Sequence, residues 1–363
     1  MATTAAPSAP IPIQRTTTPK PKTPDSELGF GNVFTDHMFL QDYDQDRGWH
    51  DARIEPYRAI SLDPAAAVLH YAQAIFDGLK AFRGRDSRVR LFRPHQHAAR
   101  LVASAQRLCI PPPDAEQVMR SWVELVGLER DWAPRTVGTA LYVRPVIVAT
   151  EPFLGVRPAG SYLYYVIISP VGAYYPEGMA PVKIRVEDTH VRAAEGGIGA
   201  AKTAGNYAAS LYAAEQAHRA GYTQVLWLDG VHRRYLEEVG TMNIMLRIGD
   251  EVITPPLSGT ILPGVTRDSV LILLRDWGLT VRERPISIDE VLKAAANCTL
   301  REVWGTGTAA VVSPVGELGY KGQRIVVSGG QTGELTRQLY EALVGIQYGT
   351  APDPHGWMLD VES

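Results

Sequence analysis

The segment Gly196-Gly-Ile-Gly-Ala-Ala-Lys202-Thr-Ala-Gly-Asn-Tyr207 decides the reading of this chain, taken together with Tyr235-Leu-Glu-Glu238-Val-Gly-Thr-Met-Asn243 downstream. The first segment sets one lysine among small residues, with no acidic neighbour within six positions on either side. Small residues let a ligand come close to the backbone. A lysine that is also desolvated gives up its proton more readily and becomes a nucleophile towards carbonyl carbon. Three readings fit these residues: a Schiff-base lysine, a solvated lysine in a glycine-rich turn, and an imperfect phosphate loop. The phosphate-loop pattern G-x-x-x-x-G-K-[ST] fails at Ala201, where its second glycine belongs. Its context fails as well, because the apolar alternation Val182–Val186 is separated from it by the polar run Glu187–Glu195.

The chain has 363 residues, enough for two domains, and its 45% hydrophobic content supports sizeable cores. A net charge of −3 without any basic cluster argues against nucleic acid as a partner. Two cysteines, Cys109 and Cys298, make neither a disulfide framework nor a metal-ligand pattern, and the histidine spacing suggests no metal site. The longest apolar run, near Tyr162–Ser169, is too short to span a membrane, and a reducing cytoplasm fits best. Residues 1–28 carry Pro7, Pro10, Pro12, Pro19, Pro21 and Pro24 and are expected to form a disordered tail.

Beyond the tail, Val68–Lys80 is expected to be helical, ending near Gly78. Ala81–Arg83 and Val89–Phe92 are expected to form a hairpin, and His95–Leu108 and Ala115–Leu128 two helices. Ala140–Val148 and Ser161–Ser169 alternate as strands. The turn-rich Gly172–Gly178 marks a link. The second half opens with strand Val182–Val186, then a helix capped by Asn206. A strand pair turns at Asp229-Gly230, strands Ile244–Ile248 and Glu251–Thr254 follow, and helices are expected over Ser269–Trp277, Ile288–Ala296 and Thr332–Ile346. This pattern predicts an α/β (α+β) architecture: a smaller N-terminal domain at 29–173, a link at 174–181 and a larger domain at 182–363.

Several strings then occur in a specific order: Phe30-Gly-Asn-Val-Phe-Thr-Asp-His-Met38, Gly78-Leu-Lys-Ala-Phe-Arg-Gly84, Leu141-Tyr-Val-Arg-Pro145, Glu151-Pro-Phe-Leu-Gly-Val156, Glu238-Val-Gly-Thr-Met-Asn243, Leu262-Pro-Gly-Val-Thr-Arg267 and Gly307-Thr-Ala309. From about Phe30 to Trp357 the chain resembles the branched-chain amino acid aminotransferases, pyridoxal-phosphate enzymes of fold type IV. The resemblance implies that Lys202 holds pyridoxal 5'-phosphate as a Schiff base and moves the proton during transfer. It assigns Glu238 to the pyridine nitrogen, Tyr207 to the phenolic oxygen, and Arg100, Val265, Thr266 and Thr308 to the phosphate. It gives Phe76, Tyr71, Tyr142, Val156 and Tyr174 to the substrate walls. Arg144 falls to the side-chain carboxylate of glutamate, and Thr241 and Ala309 to the α-carboxylate. It further implies a homodimer whose partner supplies part of the wall, acting on branched-chain amino acids, glutamate and their 2-oxo acids. Departures are Ala204 where the family usually has glycine, Asp77 where many relatives have glutamate, and Ala310 and Ser313 where some relatives carry a redox cysteine pair. Alternatives are a D-amino acid transaminase or aminodeoxychorismate lyase of the same fold and, from another class, an ATP-binding protein.

Overall fold

The computed structural model describes residues 10–172 and 179–361. The first sheet contains β1 (His37–Asp44), β2 (Gly48–Pro56), β3 (Ala74–Phe76), β4 (Leu79–Arg83), β5 (Val89–Phe92), β6 (Ala140–Ala149) and β7 (Ser161–Val171). Helices α1 (Ala67–Tyr71), α2 (Pro94–Arg107) and α3 (Ala115–Leu128) belong to the same half. The second sheet contains β8 (Val182–Glu187), β9 (Gln224–Leu228), β10 (Leu236–Val239), β11 (Met242–Ile248), β12 (Glu251–Thr254), β13 (Thr280–Glu283), β14 (Leu300–Gly307), β15 (Val311–Tyr320) and β16 (Gln323–Val326). Its helices are α4 (Ala204–Arg219), α5 (Val265–Asp276), α6 (Ile288–Ala296) and α7 (Glu334–Gln347), and β17 (Met358–Asp360) ends the chain.

The first sheet runs β17-β5-β4-β6-β7-β1-β2 and is antiparallel, with β3 on β6. Its spine is the β6–β7 pair, in register from Ala140↔Val171 to Ala149↔Tyr162. α3 packs Trp122, Leu125 and Val126 into that sheet's core beside Phe39 and Tyr164. It starts where the Asp114 side chain accepts the Gln117 N–H at 2.9 Å, satisfying one of the free donors of its first turn. The second sheet runs β10-β9-β8-β15-β14-β11-β12-β13, and a β10–β11 pairing closes β10 through β11 into a ring. A third core joins the halves: Phe82, Phe92 and Tyr142 of the first sheet pack with Met245 and Trp304 of the second sheet and with Leu271 of α5 and Leu339 of α7. That shared core fixes the cleft between the sheets.

Several expectations are corrected. Residues 10–28, expected as disordered, are laid along the first sheet. Ile13 bridges Ile54 at the β2 edge, Thr16 N–H donates to His37 Nε2 at 2.8 Å, and Asp25 accepts the Arg135 and Thr136 amides. Prolines forbid a helix, but extended backbone suits a sheet edge, where its remaining donors find partners. The expected helix over Val68–Lys80 stops at Tyr71, because Ala72 turns left-handed at φ 51°. The chain then extends into β3 and β4, which pair with β6. Its apolar run is buried as strand, not as a helical face. Asn206 does not cap α4. The cap position is Thr203, and Asn206 Nδ2 donates to the Ile198 and Ala201 carbonyls instead. Strand β17, at the far end of the chain, returns to the first sheet beside β5.

Candidate active site

Lys202 lies in the cleft, and its position is set by its backbone. Lys202 N–H donates to Ser104 Oγ of α2 at 3.0 Å, Phe76 N–H donates to the Lys202 carbonyl at 3.0 Å, and Thr203 Oγ1 donates to the Ala74 carbonyl at 2.7 Å. Arg107 at the end of α2 holds the Gly196 and Gly197 carbonyls. The glycine-rich segment is thus a bridge tied to the first sheet, and no strand directly precedes it. Its lysine points into the cleft, where Nζ donates to Tyr207 Oη at 2.7 Å and stands over the Phe76 ring. Burial, reinforced by the nearby Arg100 guanidinium, pulls the Lys202 amine down to about 8. The solvated-lysine reading therefore fails.

A cavity of about 400 Å³ opens around this amine. It gathers Lys202, Phe76, Arg100, Tyr142, Arg144, Tyr207, Thr241, Val265, Thr266, Thr308 and Ala309 from both sheets. Five of these come from three segments of the second half: the β10–β11 turn gives Thr241, the start of α5 gives Val265 and Thr266, and the β14–β15 turn gives Thr308 and Ala309. The first-turn amides of α5 have no intrahelical acceptor, and the helix dipole favours an anion there. Gly264 precedes them because a Cβ there would lie 2.0 Å from Asn243 Oδ1, whose amide holds the Leu262 carbonyl.

Arg100 reaches this corner from α2. Nε and Nη2 grip Asp77 at 2.9 and 2.7 Å, and Nη1 reaches the Pro263 carbonyl at 3.2 Å. Asp77 is fully buried and also takes His97 Nδ1 and the Gly78 N–H. Burial alone would raise its carboxyl, but Arg100 and His97 hold it far below the usual carboxylate range. The Asp77 carboxylate is thus fully engaged.

Glu238 is buried beside Tyr207 and Thr241 in a crevice that adjoins the cavity. Its Oε1 accepts the Leu262 N–H at 2.6 Å and pairs with Arg192 Nη2 at 3.2 Å. Burial pushes its carboxyl up, while Arg192 pulls the other way. Burial, with Glu238 adding to it, pushes the Tyr207 phenol up to about 12, so it stays protonated. Glu237, its neighbour in β10, is buried too. The Thr260 region covers it, and Thr260 hydrogen-bonds its carboxyl.

Arg144 sits between the Phe76 and Tyr142 rings, with Nη2 on Tyr142 Oη at 3.0 Å and a buried Nε that has no partner. Phe30, absent from the expected set, packs on Tyr142 and completes the apolar wall. Arg192 was missed as well. An isolated arginine in a polar run carries no signal until the fold brings it to Glu238.

Two expected wall residues are not at the cavity of this chain. Tyr71 is 41% exposed and donates to the Leu154 carbonyl, and Val156 is 86% exposed. The turn at Ala72 throws α1 outward against the 152–156 loop. Tyr174 falls outside the described residues.

The class IV amino-transferase model matches residues 74–318, which span the lysine bridge, the Glu238 strand and the β14–β15 turn. The chain belongs to the class IV aminotransferases. It is 52% identical over 351 residues to branched-chain-amino-acid aminotransferase 2 of Bacillus subtilis, covering 97% of both chains. Branched-chain-amino-acid transaminase 1 of the same organism is also 52% identical, over 97% of this chain and 99% of that one. Among solved structures, the Escherichia coli branched-chain amino acid aminotransferase superposes with a TM-score of 0.76 at 26% identity, over 90% of this chain and 99% of that chain. The fold is therefore that of the type IV enzymes, which as class IV aminotransferases use pyridoxal phosphate. Among the described residues no helix is long and apolar enough to cross a membrane.

Proposed function

We propose that the chain is a branched-chain amino acid aminotransferase, exchanging the amino group of leucine, isoleucine or valine with 2-oxoglutarate in two alternating half-reactions. One observation carries this reading: a partly buried, desolvated lysine amine opens into a cavity with a helix N-terminus and Arg100 on one side and Arg144 among aromatic rings on the other.

The residues present fit pyridoxal 5'-phosphate. Lys202 Nζ would hold its aldehyde carbon. The free first-turn amides of Val265 and Thr266, Arg100 Nη1 and the Thr308 hydroxyl would receive its phosphate. Tyr207, protonated, would donate to its phenolic oxygen, and Glu238 would face its pyridine nitrogen. When bound, the cofactor supplies an electron sink for the pair left when the substrate Cα–H bond breaks. Lys202 Nζ, released by the incoming amino acid, takes that Cα proton and returns it later. An amine whose pKa lies near neutrality is suited to both directions. Arg192 opposes the upward push of burial on the Glu238 carboxyl. Phe30, Phe76 and Tyr142 exclude water and receive a branched aliphatic side chain, whereas Arg144 receives the second carboxylate when glutamate occupies the same space.

We also propose that the enzyme is a homodimer, with Tyr71, Val156 and Tyr174 completing the walls. Support comes from Leu69, Tyr71, Phe153, Leu154 and Val156, apolar side chains exposed on two adjoining segments of α1 and the 152–156 loop.

Initial rates with each L-branched amino acid and 2-oxoglutarate test the reading. Turnover is expected with leucine, isoleucine and valine, and a preference for D-amino acids or release of pyruvate from aminodeoxychorismate would favour the sister activities. Two further outcomes follow. Gly264→Ala drives a methyl into Asn243 and shifts the first turn of α5. Pyridoxal phosphate affinity, followed by fluorescence titration, is expected to fall by roughly tenfold or more. Only the neutral Lys202 amine captures the cofactor. With its pKa lowered to about 8, capture by the apoprotein is expected to accelerate as pH rises towards 8 and level off above it. An unshifted lysine would still be accelerating at pH 10, which stopped-flow absorbance distinguishes.

A further inference from the structure

Lys80 on β4 is buried at 5% exposure. Its ammonium donates to the Ala309 carbonyl at 2.7 Å, the contact the structure records for it, and no carboxylate among the described residues pairs with it. Burial alone draws its amine down to about 8. A buried cation with one neutral acceptor is costly unless an anion joins it. The carbonyl it holds belongs to the three-residue turn Thr308-Ala309-Ala310 between β14 and β15, and all three residues line the cavity whereas Lys80 does not. Because the peptide is trans and planar, gripping the Ala309 carbonyl turns the Ala310 N–H away from Lys80. The turn closes through Val311 at φ 62°, a conformation that β-branched residues disfavour and that persists only where surroundings impose it.

We propose that Lys80 is a positioning residue for the α-carboxylate of 2-amino and 2-oxo acids: it locks the 308–310 turn in its strained form from behind, with backbone amides presented to the cavity, and places a positive charge behind the bound anion. The inference rests on the reading of Thr241 and Ala309 as the α-carboxylate site. It identifies why that turn keeps its shape and which unpaired charge the substrate neutralises.

The test compares wild-type and Lys80→Met holoenzymes, using 4-methylvalerate, which is leucine without its amino group, and its neutral amide as competing ligands. For Lys80→Met, the inhibition constant of 4-methylvalerate and the KM values of leucine and 2-oxoglutarate are expected to rise together by roughly tenfold. The kcat is expected to stay within about threefold, and the amide to inhibit both proteins equally. Unchanged constants for the acid, or equal weakening of acid and amide, would overturn the proposal, the latter pointing to loss of packing alone. If Lys80→Met does not accumulate folded, Lys80→Gln carries the same comparison. A wild-type protein that neither transaminates nor binds 4-methylvalerate would instead overturn the proposed function, a distinguishable result.

Discussion

Replacing Lys202 with alanine is expected to lower kcat for leucine with 2-oxoglutarate by at least about 10³-fold, because one amine serves both as cofactor anchor and as proton carrier. Loss of fold would not explain such an effect. The bridge holding Lys202 is fastened through its main chain, by its N–H to Ser104, its carbonyl to Phe76 and the neighbouring Thr203 to Ala74. None of these contacts involves the lysine side chain. The variant should therefore keep the wild-type melting temperature while losing turnover. It should still bind pyridoxal phosphate through Arg100 and the start of α5, but reversibly and without the absorbance of a protein-bound imine. Parallel loss of stability and activity would mean that the side chain is structural.

Arg144→Met is expected to separate the two halves of the reaction. Truncating one partner of a buried, hydrogen-bonded charge pair costs roughly 2–5 kcal/mol, so KM for 2-oxoglutarate and glutamate should rise by about 100-fold. Leucine carries no second carboxylate, and its half-reaction should change only within about threefold. The expectation follows from the geometry: the guanidinium lies over two aromatic rings, its Nε lacks a partner, and its one recorded hydrogen bond is to Tyr142. Methionine keeps the apolar contact with Phe76 and Tyr142, so the branched side chain loses little. Half-reactions followed by cofactor absorbance read each substrate separately. Equal weakening of leucine and glutamate would remove Arg144 from side-chain recognition.

Some of this was legible before folding and some was not, for identifiable reasons. The isolation of Lys202 among small residues is a local property, and it marked the lysine as available for chemistry without choosing among three uses. Strands β6 and β7 were readable because both are buried over most of their length, which leaves long runs of β-branched and aromatic residues in the sequence. Arg100, Tyr207, Glu238 and the turn residues came from the ordered strings shared with the family, since nothing local distinguishes Arg100 from a surface arginine. Residues whose role depends on a distant partner stayed hidden. Arg192 meets Glu238 from 46 positions away in sequence, and Lys80 meets Ala309 across both halves of the molecule. The helix expected through Val68–Lys80 failed because apolar residues at 72–76 satisfy a helical stripe and a buried strand equally well. The pairing of β3 with β6 and the left-handed Ala72 chose the strand. The proline-rich segment was misjudged for a related reason: proline excludes helix, but it leaves extended packing along the β2 edge open.

The central claim is that Lys202 holds pyridoxal phosphate covalently in the cleft between the sheets. Reduction of the purified holoenzyme with borohydride, followed by peptide mapping, tests it most directly. The account predicts a yellow protein that bleaches on reduction and carries one stable pyridoxyl group on the peptide containing Lys202. A label on another lysine, or a protein that neither binds the cofactor nor bleaches, would contradict it.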